Sequence, residues 1–375
     1  MVQPAEGQTG TEQAFSRPGS GETEFLPSSS STSAGFDRAR TLAREASRET
    51  GRLLKNRFVL EEEIGSGGMG VVYKARDLRK VEAEDSNPYI AAKVLGQDFK
   101  AHPDAFVTLQ QETVKSQKLA HPNIVNVHDF DRDGDTVFMT MELLKGDPLD
   151  NLLRLEAPFS RETVLRYFTE LCAGLDYAHR RGLIHSDLKP GNIFVTTGGT
   201  VKILDLGIAR AVSRERQGHR FDAGDLGALT PAYATVEMVQ GKPPSFSDDV
   251  YALACVVYEM LSGEHPYDNY SAAEARERKL QPARPPGLGN AEWQALSTAL
   301  DVDSARRFDS IEAFRAAMLP QRRSYASVIL AMLLLLVLAG AGWLGYDTWR
   351  NRAEQRAQIA ASLQTAKDCF YRQDY

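Results

Sequence analysis

The chain has few cysteines and no excess of basic residues, and both shortages exclude classes of protein. Its 375 residues include three cysteines, at 172, 255 and 369, whose spacing fits neither a disulfide framework nor a zinc site. Acidic residues outnumber basic ones by 50 to 44. Residues 321–375 carry a small basic excess, so the acidic excess lies in the first 320 residues. We therefore expect no nucleic-acid partner.

The first part of the chain lacks the apolar periodicity of a folded domain. Residues 1–35 are rich in Ser, Thr, Gly, Pro and Gln, and they contain no basic start followed by an apolar stretch, so they do not resemble a signal peptide. Between Phe36 and Leu54 apolar residues are few and arginines frequent, which is typical of a solvated helix or a linker. Residues 1–56 are thus predicted to form a disordered tail and linker.

From Phe58 onward the pattern changes to short strands, interrupted by a helical window from His102 to Leu119. The strands continue to Met141, and the chain then becomes largely helical, with its strongest windows at residues 162–178 and 249–261. This order predicts an α+β fold in which a small β-rich lobe precedes a larger helical lobe. A cleft between the lobes is the expected ligand site.

A glycine-rich segment, Gly65 to Val72, matches the pattern G-x-G-x-x-G-x-V. The missing side chains let backbone amides approach phosphate groups. Strand-like residues follow the segment, whereas a Rossmann turn leads into a helix, so a phosphate-binding hairpin is favoured. Taken alone, the motif fits a plain glycine turn equally well.

Lys93 ends a short apolar strand, where it can point into the cleft and neutralise phosphate charge. A surface lysine is the usual alternative for this residue type. Glu112 lies on the inward face of the helical window, and an inward acid and a buried lysine relieve each other's burial cost. We therefore expect Lys93 and Glu112 to pair.

The most specific signal is His185-Ser186-Asp187-Leu188-Lys189-Pro190-Gly191-Asn192, followed by Asp205-Leu206-Gly207. The first string fits H-x-D-L-x-x-x-N, which places a carboxylate and an amide five residues apart. Phosphoryl transfer needs a carboxylate at the acceptor hydroxyl and metal ligands at the phosphates. Asp187 is the expected proton acceptor, and Asn192 and Asp205 are the expected magnesium ligands.

With these motifs in order, residues 57–319 resemble a bacterial, eukaryotic-like serine/threonine protein kinase. Further matches are His121 to Val125, Thr230-Pro231-Ala232-Tyr233 and Ser247 to Leu253. The resemblance implies the bilobal protein kinase fold and transfer of the ATP γ-phosphate to serine or threonine hydroxyls of proteins. It also implies ATP and Mg²⁺ as cofactors, with Mn²⁺ as a substitute.

The same resemblance assigns roles to individual residues. Met141 corresponds to the gatekeeper, Glu142 and Leu144 to the hinge contacts with adenine, and Lys189 to the lysine that contacts the transferring phosphate. The implied ATP-binding set is Gly65, Ser66, Gly67, Gly68, Met69, Gly70, Val72, Ala91, Lys93, Met141, Glu142 and Leu144. The implied catalytic set is Asp187, Lys189, Lys93 and Glu112. The resemblance also implies a structural set, Glu237, Arg307 and Asp249, in which Glu237 pairs with Arg307 to brace the helical lobe.

Departures from the family pattern predict an unusual mode of control. Ser186 replaces the arginine that, in many kinases, binds a phosphorylated activation loop, and serine cannot do so. Ser213 is the only hydroxyl residue between positions 209 and 229, so loop phosphorylation is not expected to be the switch. Leu206 replaces a phenylalanine and Thr235 begins a loose version of Ala-Pro-Glu. A membrane-tethered pseudokinase scaffold is the alternative, although the residues expected to touch metal or phosphate are retained.

Residues 326–345 form a run of twenty uncharged, mostly apolar residues, long enough to cross a bilayer. Aromatic residues flank the run, as at membrane interfaces. We therefore predict a juxtamembrane segment at 320–325, a transmembrane helix at 326–346 and an extracytoplasmic segment at 347–375. Because a kinase needs cytosolic ATP, the catalytic domain is expected on the cytoplasmic side of the cell membrane.

The segment 347–375 carries an apolar helical face formed by Ile359, Leu363, Ala366 and Phe370. The first half of a helical-repeat hairpin, a contact with an envelope protein and a position on the membrane surface all fit this face. Ala341 and Gly345 form a small-xxx-small pair, which leaves a homodimer open without establishing one.

Overall fold

The computed structural model describes residues 31–46, 52–67, 70–96, 110, 113–206, 230–319 and 325–372. The chain divides into two compact units, Met1–Arg315 and Ala316–Tyr375. The first unit contains a six-stranded sheet followed by a mainly helical part, and the second contains one long helix.

The sheet is antiparallel, in the order β1-β2-β3-β4-β6-β5. Its strands are β1 (Leu53–Leu54), β2 (Phe58–Gly67), β3 (Gly70–Asp77), β4 (Tyr89–Leu95), β5 (Val127–Asp133) and β6 (Thr136–Met141). Successive side chains alternate between faces, so Ala91 belongs to one apolar cluster and Ile90 and Ala92 to another. Lys93 lies two residues after Ala91 and therefore on the face that carries Met139 and Met141.

A helix before the sheet corrects one sequence expectation. Helix α1 (Ser31–Ala46) is packed against α2 (Leu78–Glu82) and β2, whereas the sequence indicated a solvated helix or linker from Phe36. Its buried contacts are made by alanines, and Ala39 is 2% exposed. Gly35 permits the close approach, because a Cβ atom there would lie 2.5 Å from the Glu82 carbonyl oxygen.

The same finding moves the start of the folded region. Strand β1 pairs with β2, and Leu54 is buried, so the first unit contains ordered structure before the predicted boundary at residue 57. The contact stripe consists largely of small residues, which carry little hydrophobic signal in the sequence. The predicted disorder of residues 1–30 lies outside the residues that the structure describes.

The helical part is built around two long helices that match the predicted windows. They are α4 (Arg161–His179) and α6 (Phe246–Ser262), and α6 is buried along nearly its whole length. The other helices are α3 (Leu149–Glu156), α5 (Val236–Val239), α7 (Ala272–Arg278), α8 (Asn290–Ala299) and α9 (Ile311–Met318). Cys172 and Cys255 are buried and unpaired within α4 and α6, as expected for cysteines that only pack.

A small antiparallel sheet supports the loops that carry the catalytic motifs. It has the order β7-β8-β9, with β7 (Gly146–Pro148), β8 (Ile193–Thr196) and β9 (Val201–Ile203). A short 3₁₀ turn, Pro190–Asn192, leads directly into β8, and Asp205 follows two residues after β9. The segment His185–Asn192, called the catalytic string below, and the segment Leu204–Leu206 are therefore anchored to adjacent, hydrogen-bonded strands.

The second unit is dominated by α10 (Tyr325–Arg372), a helix of 48 residues. Within it, the segment beginning at Ile329 is long and apolar enough to cross a membrane, and its apolar window is not buried in the protein. The helix continues without a break through the residues that follow the predicted membrane span.

Candidate active site

The glycine-rich segment is a hairpin, as expected, formed by the ends of β2 and β3. Gly67 is paired with Gly70, and Gly68 and Met69 lie outside the described residues. Gly70 has a φ of +141°, and a Cβ atom there would lie 2.1 Å from the Val94 carbonyl oxygen. Only glycine fits at this position. At Gly65 and Gly67 a Cβ atom would have no neighbour within 4 Å, which leaves room for a ligand against the backbone.

Lys93 is buried on β4 and forms an ion pair with Asp205. Its Nζ atom lies 2.5 Å from Asp205 Oδ2. The pair joins the large sheet to the segment after β9, and each charge offsets the other's burial cost. Glu112 lies outside the described residues, so its expected pairing with Lys93 stays a prediction.

Asp187 is held at the centre of the catalytic string by Asn192. The Asn192 side-chain amide donates to the backbone oxygen of Asp187 at 2.7 Å and to its Oδ2 at 3.1 Å. Both residues are buried, at 7% and 8% exposure. The 3₁₀ turn between them places the amide and the carboxylate on the same side, which explains the spacing of five residues.

Lys189 connects the catalytic string to the segment that begins at Thr230. Its Nζ atom lies 2.8 Å from Asp187 Oδ2 and donates to Thr230 Oγ1 at 2.7 Å. The Thr230 backbone N–H lies 3.4 Å from Asp187 Oδ1. A lysine, a carboxylate and a hydroxyl therefore meet at one point.

Leu204, which the sequence reasoning did not select, brings the two strings together. Its backbone N–H donates to the Asn192 carbonyl oxygen at 2.8 Å, and its own carbonyl oxygen lies 3.0 Å from His185 Nε2. Asp205 follows immediately and has a positive φ of 53°, a conformation uncommon for residues other than glycine. This turn directs the Asp205 carboxylate away from the strand and toward Lys93.

Asp249 on α6 accepts hydrogen bonds from the backbone of the catalytic string and is 1% exposed. Its Oδ2 accepts from the His185 N–H at 2.8 Å and lies 2.7 Å from His179 Nε2, and its Oδ1 accepts from the Ser186 N–H at 3.0 Å. Burial alone raises the pKa of such a carboxyl, but these hydrogen bonds hold the Asp249 pKa below its ordinary value. Ser186 has a φ of +65°, so the carboxylate fixes an unusual backbone conformation.

The apolar side chains expected around adenine lie on one face of the sheet. Ala91 and Met141 belong to one buried cluster, and Val72, Leu144 and Leu204 pack against it while remaining partly exposed. This arrangement forms an apolar wall beside Lys93, of the kind that small-molecule sites use.

The Glu142 side chain makes two contacts that the sequence reasoning missed. Its Oε1 accepts from Lys202 Nζ at 2.6 Å and from the Asn126 N–H at 2.8 Å. The side chain thus ties the segment after β6 to β9 rather than facing the apolar wall, which leaves the backbone of Glu142 as its means of contacting a base. A lysine within the otherwise apolar stretch Val201–Leu204 was the available sequence signal.

Glu237 and Arg307 are brought together away from the catalytic string. Glu237 Oε2 lies 2.8 Å from Arg307 Nη2, and Arg307 Nη1 donates to the Ser247 carbonyl oxygen at 3.0 Å. Arg307 is 7% exposed. Burial opposes ionisation of Glu237, but hydrogen bonds and the guanidinium hold its pKa below the ordinary value.

The donor set fits a divalent metal ion that is shared with phosphate groups. Because the Asn192 amide nitrogen donates to Asp187, its Oδ1 is left as an acceptor, and Asp205 Oδ1 does not take part in the ion pair with Lys93. Among the described residues no three His, Cys, Asp or Glu side chains are grouped as a metal site. Mg²⁺ commonly binds through one or two protein oxygens together with substrate phosphates, and that is the arrangement available here.

Comparison with known proteins identifies the family. The protein kinase domain model matches residues 58–312. A probable serine/threonine-protein kinase from Clostridium acetobutylicum is 32% identical over 236 residues, covering 63% of this chain and 34% of the relative. The probable serine/threonine-protein kinase PknB from Lactococcus lactis is 31% identical over 271 residues, covering 70% of this chain and 42% of the relative. The chain thus spans well under half the length of these two relatives.

A solved structure gives the same result. The crystal structure of the Mycobacterium tuberculosis PknI kinase domain is 27% identical and superposes with a TM-score of 0.55, covering 70% of this chain and 94% of that domain. The predicted α+β fold, with a β-rich lobe and a helical lobe, is confirmed. The chain belongs to the protein kinase family and is similar to bacterial serine/threonine members of it.

Proposed function

We propose that this chain transfers the γ-phosphate of ATP to serine and threonine hydroxyls of protein substrates. The observation that carries the proposal is the meeting of Asp187, Lys189 and Asn192, with Asp205 held by Lys93 beside them. These are the groups that phosphoryl transfer requires, because positioning and charge stabilisation supply most of its rate.

Each residue has a distinct role in this proposal. Asp187 orients the acceptor hydroxyl and takes its proton, and Lys189, 2.8 Å from Asp187, stabilises charge on the transferring phosphate. Lys93 holds ATP phosphate oxygens in the cleft. Asn192 and Asp205 would hold Mg²⁺, which, when bound, neutralises the phosphates and aligns them for transfer. The glycine hairpin covers the phosphates and excludes water.

Transfer of labelled phosphate from ATP to a generic protein substrate tests the proposal. We expect Asp187→Asn to reduce transfer by at least about 100-fold, since general base catalysis contributes on the order of 10²–10⁴. Asp176→Asn is the matched control, because Asp176 forms a solvent-accessible ion pair with Arg180, the residue that caps the same helix. A pseudokinase scaffold predicts equal, background-level transfer by the unchanged chain and by Asp187→Asn.

We further propose that the kinase does not depend on phosphorylation of its activation segment. Ser186 is buried, and its Oγ makes no hydrogen bond in the described part of the chain. Because serine is uncharged, this position supplies no cation that could bind a phosphate. The segment 207–229, which includes Ser213, lies outside the described residues. Phosphatase treatment of the purified chain should therefore leave its rate unchanged, and a large drop would contradict this proposal.

For α10 we propose that the apolar segment anchors the chain in the cell membrane, with residues 1–323 in the cytoplasm and residues 347–375 outside. Its support is the length and composition of the helix, together with the need of the catalytic domain for ATP. Protease treatment of intact spheroplasts should remove residues 347–375 and spare the kinase domain. Recovery of the whole chain in the soluble fraction would contradict it.

The apolar face for which the sequence predicts a partner lies on the exposed helix beyond this segment. Ile359 and Leu363 are 59% and 58% exposed. Cross-linking from position 359 in cells distinguishes a second copy of the chain from an envelope protein, because the two products differ in mass and in whether a tagged second copy is captured.

A further inference from the structure

A hydroxyl outside every recognised motif contacts the turn that carries Asp205. Ser116 lies at the end of a helical turn, residues 113–116, and its Oγ donates to the Leu206 carbonyl oxygen at 3.1 Å. The two residues are 90 positions apart in sequence, and they are 7% and 4% exposed. The contact therefore joins the helical turn to the segment that follows β9, away from water.

The Leu206 carbonyl oxygen is buried and requires a hydrogen-bond donor from outside β9. The positive φ of Asp205 takes the backbone out of the strand conformation, so the next carbonyl cannot continue the pairing of β9. A buried carbonyl without a partner is costly, and a serine hydroxyl on a neighbouring element can satisfy it. Serine within a helix often bonds to its own preceding turn, but here Ser116 reaches across to a different segment.

We propose that Ser116 is a positioning residue that holds the Asp205–Leu206 turn and thereby directs the Asp205 carboxylate toward Lys93 and the metal site. The proposal rests on the proposed role of Asp205 in phosphate transfer. Ser116 is not among the residues assigned to ATP or to the acceptor, and in this proposal its effect passes through the backbone of Leu206. Losing the hydroxyl should free the turn while leaving the core of either lobe intact.

Two substitutions at Ser116 form a matched pair. Ser116 lines a pocket with Thr113, Val125, Met141 and Asp205, among other residues, and Thr and Val add nearly the same volume to it. Ser116→Thr keeps the hydroxyl, and Ser116→Val has nearly the same shape without it. A difference between these two variants reports the hydrogen bond rather than the volume.

The first measurement uses hydrogen–deuterium exchange of the full chain without nucleotide or metal. We expect amides in the peptide around Leu204–Leu206 to exchange about tenfold faster in Ser116→Val and Ser116→Ala than in the unchanged chain, with Ser116→Thr within about twofold of it. Ser262→Ala is the control, because Ser262 Oγ also donates to a backbone oxygen, that of Tyr258 at 2.8 Å, but far from this turn. Equal exchange in the Thr and Val variants would overturn the proposal.

The second measurement is the Mg²⁺ concentration that gives half-maximal transfer at saturating ATP. We expect this concentration to rise about three- to tenfold in the Val and Ala variants and to be restored by Thr, measured at a temperature where every variant remains folded. If exchange changes but Mg²⁺ dependence does not, the link from the turn to Asp205 is refuted. If the unchanged chain transfers no phosphate, the proposed function fails, and the exchange result still decides whether Ser116 holds the turn.

Discussion

The buried carboxylate of Asp249 gives the most quantitative prediction about the catalytic string. Its two oxygens serve three donors: Oδ2 faces His179 and the His185 N–H, and Oδ1 faces the Ser186 N–H. Asp249→Asn can keep its oxygen at the position of Oδ2, where two donors converge. The amide nitrogen then faces the Ser186 N–H, and one charge-assisted hydrogen bond is lost, costing about 1.5–3 kcal/mol of unfolding free energy.

Asp249→Ala removes all three acceptor contacts. It leaves the N–H groups of His185 and Ser186 buried and unpaired, at about 1–3 kcal/mol each, so we expect a loss of about 2–6 kcal/mol. That is a large fraction of the about 5–15 kcal/mol that stabilises typical domains. Because Ser186 immediately precedes Asp187, transfer activity should fall further than stability explains, even at temperatures where the variants remain folded.

Urea unfolding at neutral pH, combined with single-turnover transfer rates, tests this ranking. Asp176→Asn, which removes a solvent-accessible pair with Arg180, should cost under about 1 kcal/mol. The Asp249 pKa is lowered in the folded chain, so its stabilisation is present above its ordinary value of 3.8 and is lost as the pH falls below that value. If Asp249→Ala unfolds at the same urea concentration as the Asp176→Asn control, the reasoning is refuted.

Three further predictions concern other parts of the chain. Ser213→Ala should retain nearly full transfer activity, and a collapse in the initial rate would show that this hydroxyl is the switch. Burial raises the Glu259 pKa from 4.5 to about 7, so stability should fall as the pH rises between these values. Glu259→Gln still accepts from Tyr233 and should gain, relative to the unchanged chain, up to about 3 kcal/mol at pH 8 compared with pH 4, measured by urea unfolding. Gly35→Val should displace α1 from the Glu82 carbonyl and lower the thermal midpoint by several degrees, whereas a midpoint equal to that of the unchanged chain would show that α1 contributes no stability.

The sequence was most informative where chemistry restricts the residue type. Asp187, Asn192 and Asp205 were selected because a carboxylate, an amide and a second carboxylate recur in a fixed order, and the structure places them on adjacent loops. The long helices were equally accessible, because the apolar residues of α4 follow a helical period. In both cases the information is local, either as a motif or as a period.

Contacts between distant segments could not be predicted in this way. The packing of α1 depends on Ala39 and on a glycine beside a carbonyl, and small residues give a weak hydrophobic signal. The bond from Ser116 to Leu206 and the pair between Glu142 and Lys202 each join segments whose register is set only by the folded chain. The position of a single serine or lysine in the sequence does not predict which distant residue it contacts.

Three sets of contacts between segments together restrain Asp205. Asp205 has a strained backbone conformation, and a strained conformation persists only where its surroundings determine it more than once. Here the Lys93 pair fixes the carboxylate, the bonds of Leu204 fix the residue before it, and Ser116 fixes the residue after it. Removing one restraint should therefore loosen the metal site by a measurable factor without abolishing the fold, which is why graded variants, rather than deletions, are the informative experiments.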